Sequence, residues 1–138
     1  MFAAETGFNQ GFAVGRDNGQ EWLLSCPLTV NMARDTNADS GTTDFALMRG
    51  QAPRHLDQNM SVFAKVVWGA ELLNGVKYGP AQTGGIITDP KARTKIVSAT
   101  LGSDLPESAR LALQWQDTSS PAFIDALAQR RARGNEFF

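Results

Sequence analysis

Short apolar runs with strand character recur along the first two thirds of the chain. Leu28, Val30 and Met32 alternate with polar residues, which predicts a strand with one buried face. Pro27 lacks an amide proton and therefore belongs at the first residue of this strand or at a sheet edge. Further runs predict strands at 44–49, 60–67 and 95–101. The apolar residues of 60–67 do not alternate strictly, which favours a strand covered on both faces.

The segments between these runs carry turn and loop signals. Residues 1–20 are rich in glycine, asparagine and aspartate, which predicts loop or irregular edge structure with a turn at 17–19. The segment 33–43 is a polar loop whose short side chains bond nearby backbone groups. The segment 68–73 predicts a short helix that Asn74-Gly75 ends, and the glycine-rich segment 76–93 predicts a surface loop.

The C-terminal segment predicts one helix. Ser120 is a suitable N-cap and Pro121 fits the first helical position. Its apolar stripe consists of Phe123, Ile124 and Leu127, its last turn carries Arg130, Arg131 and Arg133, and Gly134 supplies the stop. The pattern as a whole predicts a mainly β protein with a helical appendage.

Composition and charge exclude several classes of protein. The 138 residues form one domain or a piece of one, and 42% hydrophobic with 20% charged residues is typical of a globular chain. The net charge of −1 gives no reason to expect nucleic acid or an anionic membrane as a partner. The chain start does not resemble a signal peptide, and no apolar run is long enough for a membrane helix. Cys26 is the single cysteine, so no internal disulfide forms.

The residues give little support for a metal site or a catalytic triad. His55 is the only histidine, which excludes a multi-histidine metal site, and Asp35 and Asp39 lack the spacing of a calcium loop. A Ser-His-Asp triad through His55 stays possible in principle, but no G-x-S-x-G elbow is present. The arginines near 130 are interpreted as a solvated helix end, with a phosphate-binding patch as the alternative. We predict no cofactor and no metal.

Two stretches resemble one known family. The run MARDTNADSGTTDF resembles the cyclophilin loop M-A-[RN]-x-x-x-x-x-S-x-[TS]-x-Q-F-F. The run HLDQNMSVFAKVVWGAELL resembles W-L-D-x-x-x-x-V-F-G-[RK]-V-x-x-G-M-x-V. The resemblance to cyclophilin-type peptidyl-prolyl cis-trans isomerases covers about 22–101, and the flanking segments are similar to a bacterial subgroup with a C-terminal extension. We therefore expect an irregular lead at 1–21, a partial cyclophilin-like domain at 22–101 and an extension with a helix at 102–138.

The resemblance implies a fold and an activity. Cyclophilins fold as a closed antiparallel β-barrel with capping helices, and they accelerate isomerisation of X-Pro bonds in protein folding. The barrier is about 20 kcal/mol, and the enzyme lowers it by favouring the twisted peptide without a metal or a covalent intermediate. The implied partner is a proline-containing polypeptide.

Seven positions correspond to peptide-contacting positions of the family. Ala33 and Arg34 match the pair that opens the loop, and Leu56 matches a leucine of the proline pocket. The other four differ from the family pattern, where a glutamine, a pocket aromatic, a tryptophan and a histidine stand; here they are Asp44, Ala46, His55 and Met60. The assignment of Ala46 assumes that Phe45 is the inward core aromatic. Phe45, Val62, Phe63 and Val66 are interpreted as barrel core.

The family segment F-x-R-V-x-x-x-F-x-x-Q-G-G, which carries the catalytic arginine, is not found in this sequence. Arg16 stands in a different context, so we name no catalytic residue. We expect an incomplete barrel, the C-terminal portion of an isomerase whose N-terminal half is missing, and no activity from the chain alone. The alternatives are a non-catalytic peptide-binding or chaperone module, and a fragment without independent function. The compartment, periplasmic or cytoplasmic, is not indicated.

Overall fold

The computed structural model describes residues 3–132, and its first element is a three-stranded antiparallel sheet. The strands are β1 (Glu5–Asn9), β2 (Phe12–Asp17) and β3 (Gln20–Leu23), in the order β1-β2-β3. Each connection is a two-residue turn with both residues at positive φ, at 47° and 83° for Gln10 and Gly11 and at 48° and 75° for Asn18 and Gly19. Such turns match the twist of a hairpin, so they set the register of the whole sheet.

The irregular structure predicted for residues 1–20 is therefore wrong, while the turn predicted at 17–19 is confirmed. Glycines at a spacing of four obscured the strand pattern. Gly11 lies in a turn, but Gly7 and Gly15 lie inside strands and are covered by larger side chains. A Cβ atom at Gly15 would lie 2.9 Å from the Trp22 ring, so the missing side chain makes room for the indole.

A second antiparallel sheet consists of β4 (Thr29–Met32), β5 (Phe45–Leu47) and β6 (Val62–Lys65), in the order β5-β4-β6. It confirms the strands predicted at 28–32, 44–49 and 60–67, each shorter than expected. In the register of the sheet, Asn31 lies opposite Ala46 on one side and opposite Val62 on the other, with an irregularity between Val30 and Asn31. Pro27 lies in the turn before β4, two residues ahead of Thr29, and not at the first residue of the strand as predicted.

The second sheet does not bury the aromatic residues expected in its core. Val62 is 8% exposed, as predicted, but Phe45 is 48% and Phe63 is 53% exposed. The prediction that 60–67 is covered on both faces is therefore wrong, and so is the prediction of Phe45 and Phe63 as core residues. The two sheets do not close into a barrel, and large apolar side chains of the second sheet stay exposed.

The helix α1 (Pro121–Ala132) confirms the predicted C-terminal element. The Phe123 amide donates to the Ser120 Oγ atom over 3.4 Å, as expected for an N-cap. Phe123 packs edge-on against Phe8 of β1, with ring centroids 5.0 Å apart, and Arg131 donates to the Thr6 carbonyl. The predicted roles of Arg133 and Gly134 lie outside the described residues.

The chain divides into two compact units, and the segment Trp68–Gln114 forms the second one. It contains 3₁₀ turns at Ala70–Gly75, Ala81–Thr83, Pro90–Ala92, Gly102–Asp104 and Glu107–Ala109. The helix predicted at 68–73 is present as a 3₁₀ turn that includes Asn74 and Gly75, and 76–93 is a loop with short turns. The strand predicted at 95–101 is wrong, because no described segment pairs with it and Val97 is 95% exposed.

The mainly β class predicted from the sequence is confirmed, as two antiparallel three-stranded sheets that do not close and one C-terminal helix. The predicted domain boundaries after residues 21 and 101 stay predictions. Within residues 3–132, no helix combines the length and apolar character that a membrane span requires.

Candidate functional site

The candidate site begins where β4 ends, between the two neighbouring strands of its sheet. The Ala33 amide donates to the Asp44 carbonyl over 2.9 Å, and the Met32 amide donates to the Ser61 carbonyl over 2.8 Å. The backbone at 32–33 is therefore fixed from both sides, and Ala33 and Asp44 are brought together. Ala33 is half-buried, whereas Arg34 and Asp44 are exposed.

Arg34 connects this strand end to the turn at 53–60. Its Nε atom donates to the Asn59 carbonyl over 2.6 Å and its Nη2 atom to the Asn59 Oδ1 atom over 3.1 Å. Nη1 donates to the Asp35 carbonyl over 2.8 Å. Asn59 in turn donates from Nδ2 to the His55 carbonyl over 2.6 Å. Through these bonds Arg34 holds the 33–43 loop and the 53–60 turn in one arrangement.

The 33–43 loop has the local bonds that its sequence predicts. The Ser40 Oγ atom accepts from the Asp35 amide over 2.8 Å and donates to the Asn37 carbonyl over 2.5 Å. The Asp39 amide donates to the Asn37 Oδ1 atom over 3.1 Å. Short polar side chains thus replace a regular backbone ladder and keep the loop compact beside Arg34.

The 53–60 turn carries three of the predicted residues. After the 3₁₀ turn Arg54–Leu56, the Leu56 carbonyl accepts from the Met60 amide over 2.9 Å and from the Asn59 amide over 3.0 Å. Gln58 has a φ of 65°, which reverses the chain here. Leu56 and Met60 are consequently one turn apart and half-buried, while His55 is exposed.

Ala46 occupies a different place from these residues. It lies in β5 opposite the fully buried Asn31, whereas Phe45 lies opposite Met32. The face shared with Asn31 therefore carries Ala46, and the assumption that Phe45 points into the core is wrong. Contact between Ala46 and a peptide stays a prediction.

Two small cavities flank the turn. One of about 240 Å³ lies beside Met60 and Gln58 and is also lined by Trp22. Another of about 210 Å³ is lined by Arg34 and Asn59. A larger cavity of about 750 Å³ lies elsewhere, between β1 and α1, and contains none of the seven predicted residues. We place the candidate site at the smaller cavities, because the hydrogen bonds converge there.

A buried polar cluster beneath the turn was not found from the sequence. Four of its members are buried, and Arg54 lies at its edge. The buried members are Ser25, Thr29, Asn31 and Asp57. The available signals were the polar Asn31 within an alternating apolar strand and the aspartate that follows His55 and Leu56. Asn59 was also missed, because its role depends on its bonds with Arg34 and His55, which no local sequence pattern indicates.

The charges of the site include the exposed Arg34 and Asp44 at its rim and the ion pair of Arg54 and Asp57 beneath it. Among the described residues, no group of three or more histidine, cysteine, aspartate or glutamate side chains is arranged to hold a metal. The Asn9 amide and the Arg16 guanidinium lower the pKa of Glu21, and hydrogen bonds from Ser119 lower the pKa of Asp117.

Comparison with known families identifies the chain. The family model described as cyclophilin type peptidyl-prolyl cis-trans isomerase/CLD matches residues 3–101, which is more than half of the sequence. The chain therefore belongs to this family, as the two quoted motifs predict, and peptidyl-prolyl isomerisation is the function that the match supports. The comparison with curated proteins found no match to the chain.

Proposed function

We propose that this cyclophilin-type chain binds proline-containing polypeptides along the end of β4 and the 53–60 turn, and forms part of a site that isomerises X-Pro bonds. The family match carries the proposal. The link from Arg34 through Asn59 to His55 supports it, because it unites residues 25 positions apart in the chain.

Leu56 and Met60 would form the apolar wall for the proline ring. Both are half-buried on one turn, and the cavity of about 240 Å³ opens beside Met60. A proline ring has no polar atoms to satisfy, so an apolar wall with a nearby cavity suits it. His55 and Ala46 are proposed as further contacts at the edges of this wall.

Ala33, Arg34 and Asp44 would bind the peptide backbone and its flanking side chains. The Arg34 guanidinium already donates to Asn59, Asp35 and Thr36, so its main role is to hold the loop in place. The exposed Asp44 adds a negative charge to the rim, which favours a basic side chain beside the proline.

Catalysis of X-Pro rotation requires a donor that interacts with the proline nitrogen when its conjugation is lost. Arg34 is committed to its own loop, and the family segment with the catalytic arginine is not found in this sequence. We therefore expect this chain alone to bind proline peptides without accelerating their isomerisation.

The test uses the full chain and a blocked Ala-Ala-Pro-Phe peptide. Binding is followed by NMR titration of the Leu56 and Met60 methyl groups, and turnover by a protease-coupled isomerisation assay. We expect saturable shifts of these methyl signals and no rate above background. A matched peptide with alanine in place of proline is the control. Equal binding of both peptides would contradict the proposal, and clear turnover would contradict the assignment of Arg34 as a structural residue.

A further inference from the structure

We propose that Arg54 and Asp57 are positioning residues for peptide binding: their partly buried ion pair binds Ser25 and thereby fixes Leu56 and Met60 beside β4. The inference rests on the proposed function, because it concerns the same binding wall. Neither residue is among the seven predicted contacts, and both flank Leu56 in the sequence.

The pair binds both backbone polar groups of Ser25. The Asp57 Oδ1 atom accepts from the Ser25 amide over 2.9 Å, and the Arg54 Nη2 atom donates to the Ser25 carbonyl over 2.8 Å. Between the two side chains, Arg54 Nη1 lies 3.1 Å from Asp57 Oδ2. The Asp57 side chain is only 4% exposed, so solvent screens this pair weakly.

Ser25 connects the ion pair to β4, the central strand of the second sheet. The Asn31 Nδ2 atom donates to the Ser25 Oγ atom over 2.6 Å, and the Thr29 Oγ1 atom lies 2.9 Å from the Asn31 Oδ1 atom. Ser25 and Asn31 are both fully buried. A continuous path of hydrogen bonds therefore runs from the 53–60 turn into β4.

The ion pair is connected directly to the proposed binding wall, which consists of Leu56 and Met60. Leu56 lies between Arg54 and Asp57 in the chain, and its carbonyl accepts from the Met60 amide over 2.9 Å. A shift of the Asp57 backbone would consequently move Leu56 and Met60 together. A buried ion pair is a costly way to gain stability, but the hydrogen bonds between Ser25 and both of its side chains fix the position of the turn.

The position of the Arg54 guanidinium depends on the charge of Asp57. The Arg54 Nε atom is buried without a hydrogen-bond partner among the described residues, so Nη1 and Nη2 make all the contacts that hold the guanidinium. Removing the carboxylate would leave a half-buried cation without its counter-charge, bonded through Nη2 to the carbonyls of Ser25 and Ala52, and would favour movement of Arg54 towards solvent.

The test compares Asp57→Asn with a control that is destabilised elsewhere. Asparagine keeps an oxygen acceptor for the Ser25 amide but removes the charge that holds Arg54. Val14→Ala is the control, because Val14 is fully buried in the other sheet and its truncation lowers stability without touching the turn. Each full-length variant is measured at a temperature at which melting curves show it folded.

We expect Asp57→Asn to shift the Leu56 and Met60 methyl signals and to weaken binding of the Ala-Ala-Pro-Phe peptide by about tenfold. Val14→Ala should change neither. Unchanged signals and affinity in Asp57→Asn, or equal changes in both variants, would overturn the inference while leaving the proposed function in place. If the unmodified chain binds no proline peptide, the proposed function fails, and the methyl signals alone decide whether Asp57 positions the turn.

Discussion

At the scale of single residues, this protein buries polar side chains as thoroughly as apolar ones. The buried hydrophobic residues of the described chain are Val14, Ala52 and Val62, and the buried polar ones are Ser25, Thr29, Asn31 and Asp57. The polar residues tolerate burial because the hydrogen bonds between them and to Arg54 replace those lost with water. Specific bonds, rather than a large apolar core, therefore determine the geometry beneath the candidate site.

Glu21 provides a residue-scale prediction about pH. Its carboxylate accepts from the Asn9 amide and from the Arg16 Nε atom, each over 2.7 Å, and these bonds lower its pKa. A carboxyl with a lower pKa in the folded state stabilises the fold at a pH above its unfolded value of about 4.3. That stabilisation is lost as the pH falls through the lower folded pKa.

We therefore expect Glu21→Gln to melt at a lower temperature than the unmodified chain at pH 7. The difference should shrink below about pH 4 and disappear once the carboxyl is protonated in both states. The difference stays small because the side chains of this ion pair remain partly exposed, at 41% for Arg16 and 33% for Glu21. Melting curves between pH 2 and pH 7 check this; a difference that does not depend on pH would contradict it.

At the scale of elements, α1 packs on the outer edge of the first sheet. The Gly11 amide donates to the Thr118 Oγ1 atom over 2.9 Å, just before the helix, and Arg131 donates to the Thr6 carbonyl near its end. These bonds satisfy backbone groups of β1 and of the turn that follows it, which would otherwise be available to another chain. Between them, Phe8 and Phe123 form the aromatic contact of this interface.

We expect this aromatic pair to couple the helix to the sheet. The rings meet at 88° with centroids 5.0 Å apart, a geometry that contributes about 0.5–1.5 kcal/mol beyond area burial. A double-mutant cycle with Phe8→Ala, Phe123→Ala and the combined variant should give a coupling free energy of that size. The same cycle with Phe8 and Ile124, which is 53% exposed, is the control. Additive effects for Phe8 and Phe123 would mean that the rings do not interact in solution.

The comparison with the sequence is clearest for these elements. Period-two alternation located β4, and cap chemistry at Ser120 and Pro121 located α1, because both signals are local. The β1–β3 sheet was missed, because glycines that accommodate Trp22 and Arg16 hide the strand pattern. Exposure of Phe45 was also missed, since apolarity alone does not tell whether a second layer covers a face.

In the candidate site, too, local sequence patterns indicate positions but not the contacts between distant residues. Motif positions predict Arg34, Leu56 and Met60 as peptide contacts, which stays a prediction, and the bonds that hold these residues in place depend on residues distant in the chain. Asn59 acts on Arg34 from 25 positions away, and Asp57 acts on Ser25 from 32 positions away. Such pairings follow from the fold of the sheet, so no local pattern predicts them.

At the scale of the whole molecule, strand pairing and full burial of side chains coincide in the central strands of the two sheets. Both β2 and β4 pair with a neighbour on each side, and they contain the fully buried Val14 and Asn31. The unit Trp68–Gln114 has short 3₁₀ turns instead of strands, and it exposes large apolar side chains such as Trp68, Ile96 and Leu101. Local stability should therefore differ strongly between segments of one chain.

Native-state hydrogen exchange followed by mass spectrometry measures this difference. Amides that pair within a sheet exchange only when the strands open, so peptides from 12–17 and 29–32 should show the strongest protection. Peptides from 95–101 should exchange close to the rate of an unstructured chain, because Val97 is 95% exposed and no strand pairing includes this segment in the described residues. Peptides from α1 should lie between, since the helix contacts the sheet through few side chains. Protection at 95–101 equal to that of β4 would mean that this period-two segment finds a strand partner in solution, and the unpaired arrangement described for it would then be wrong.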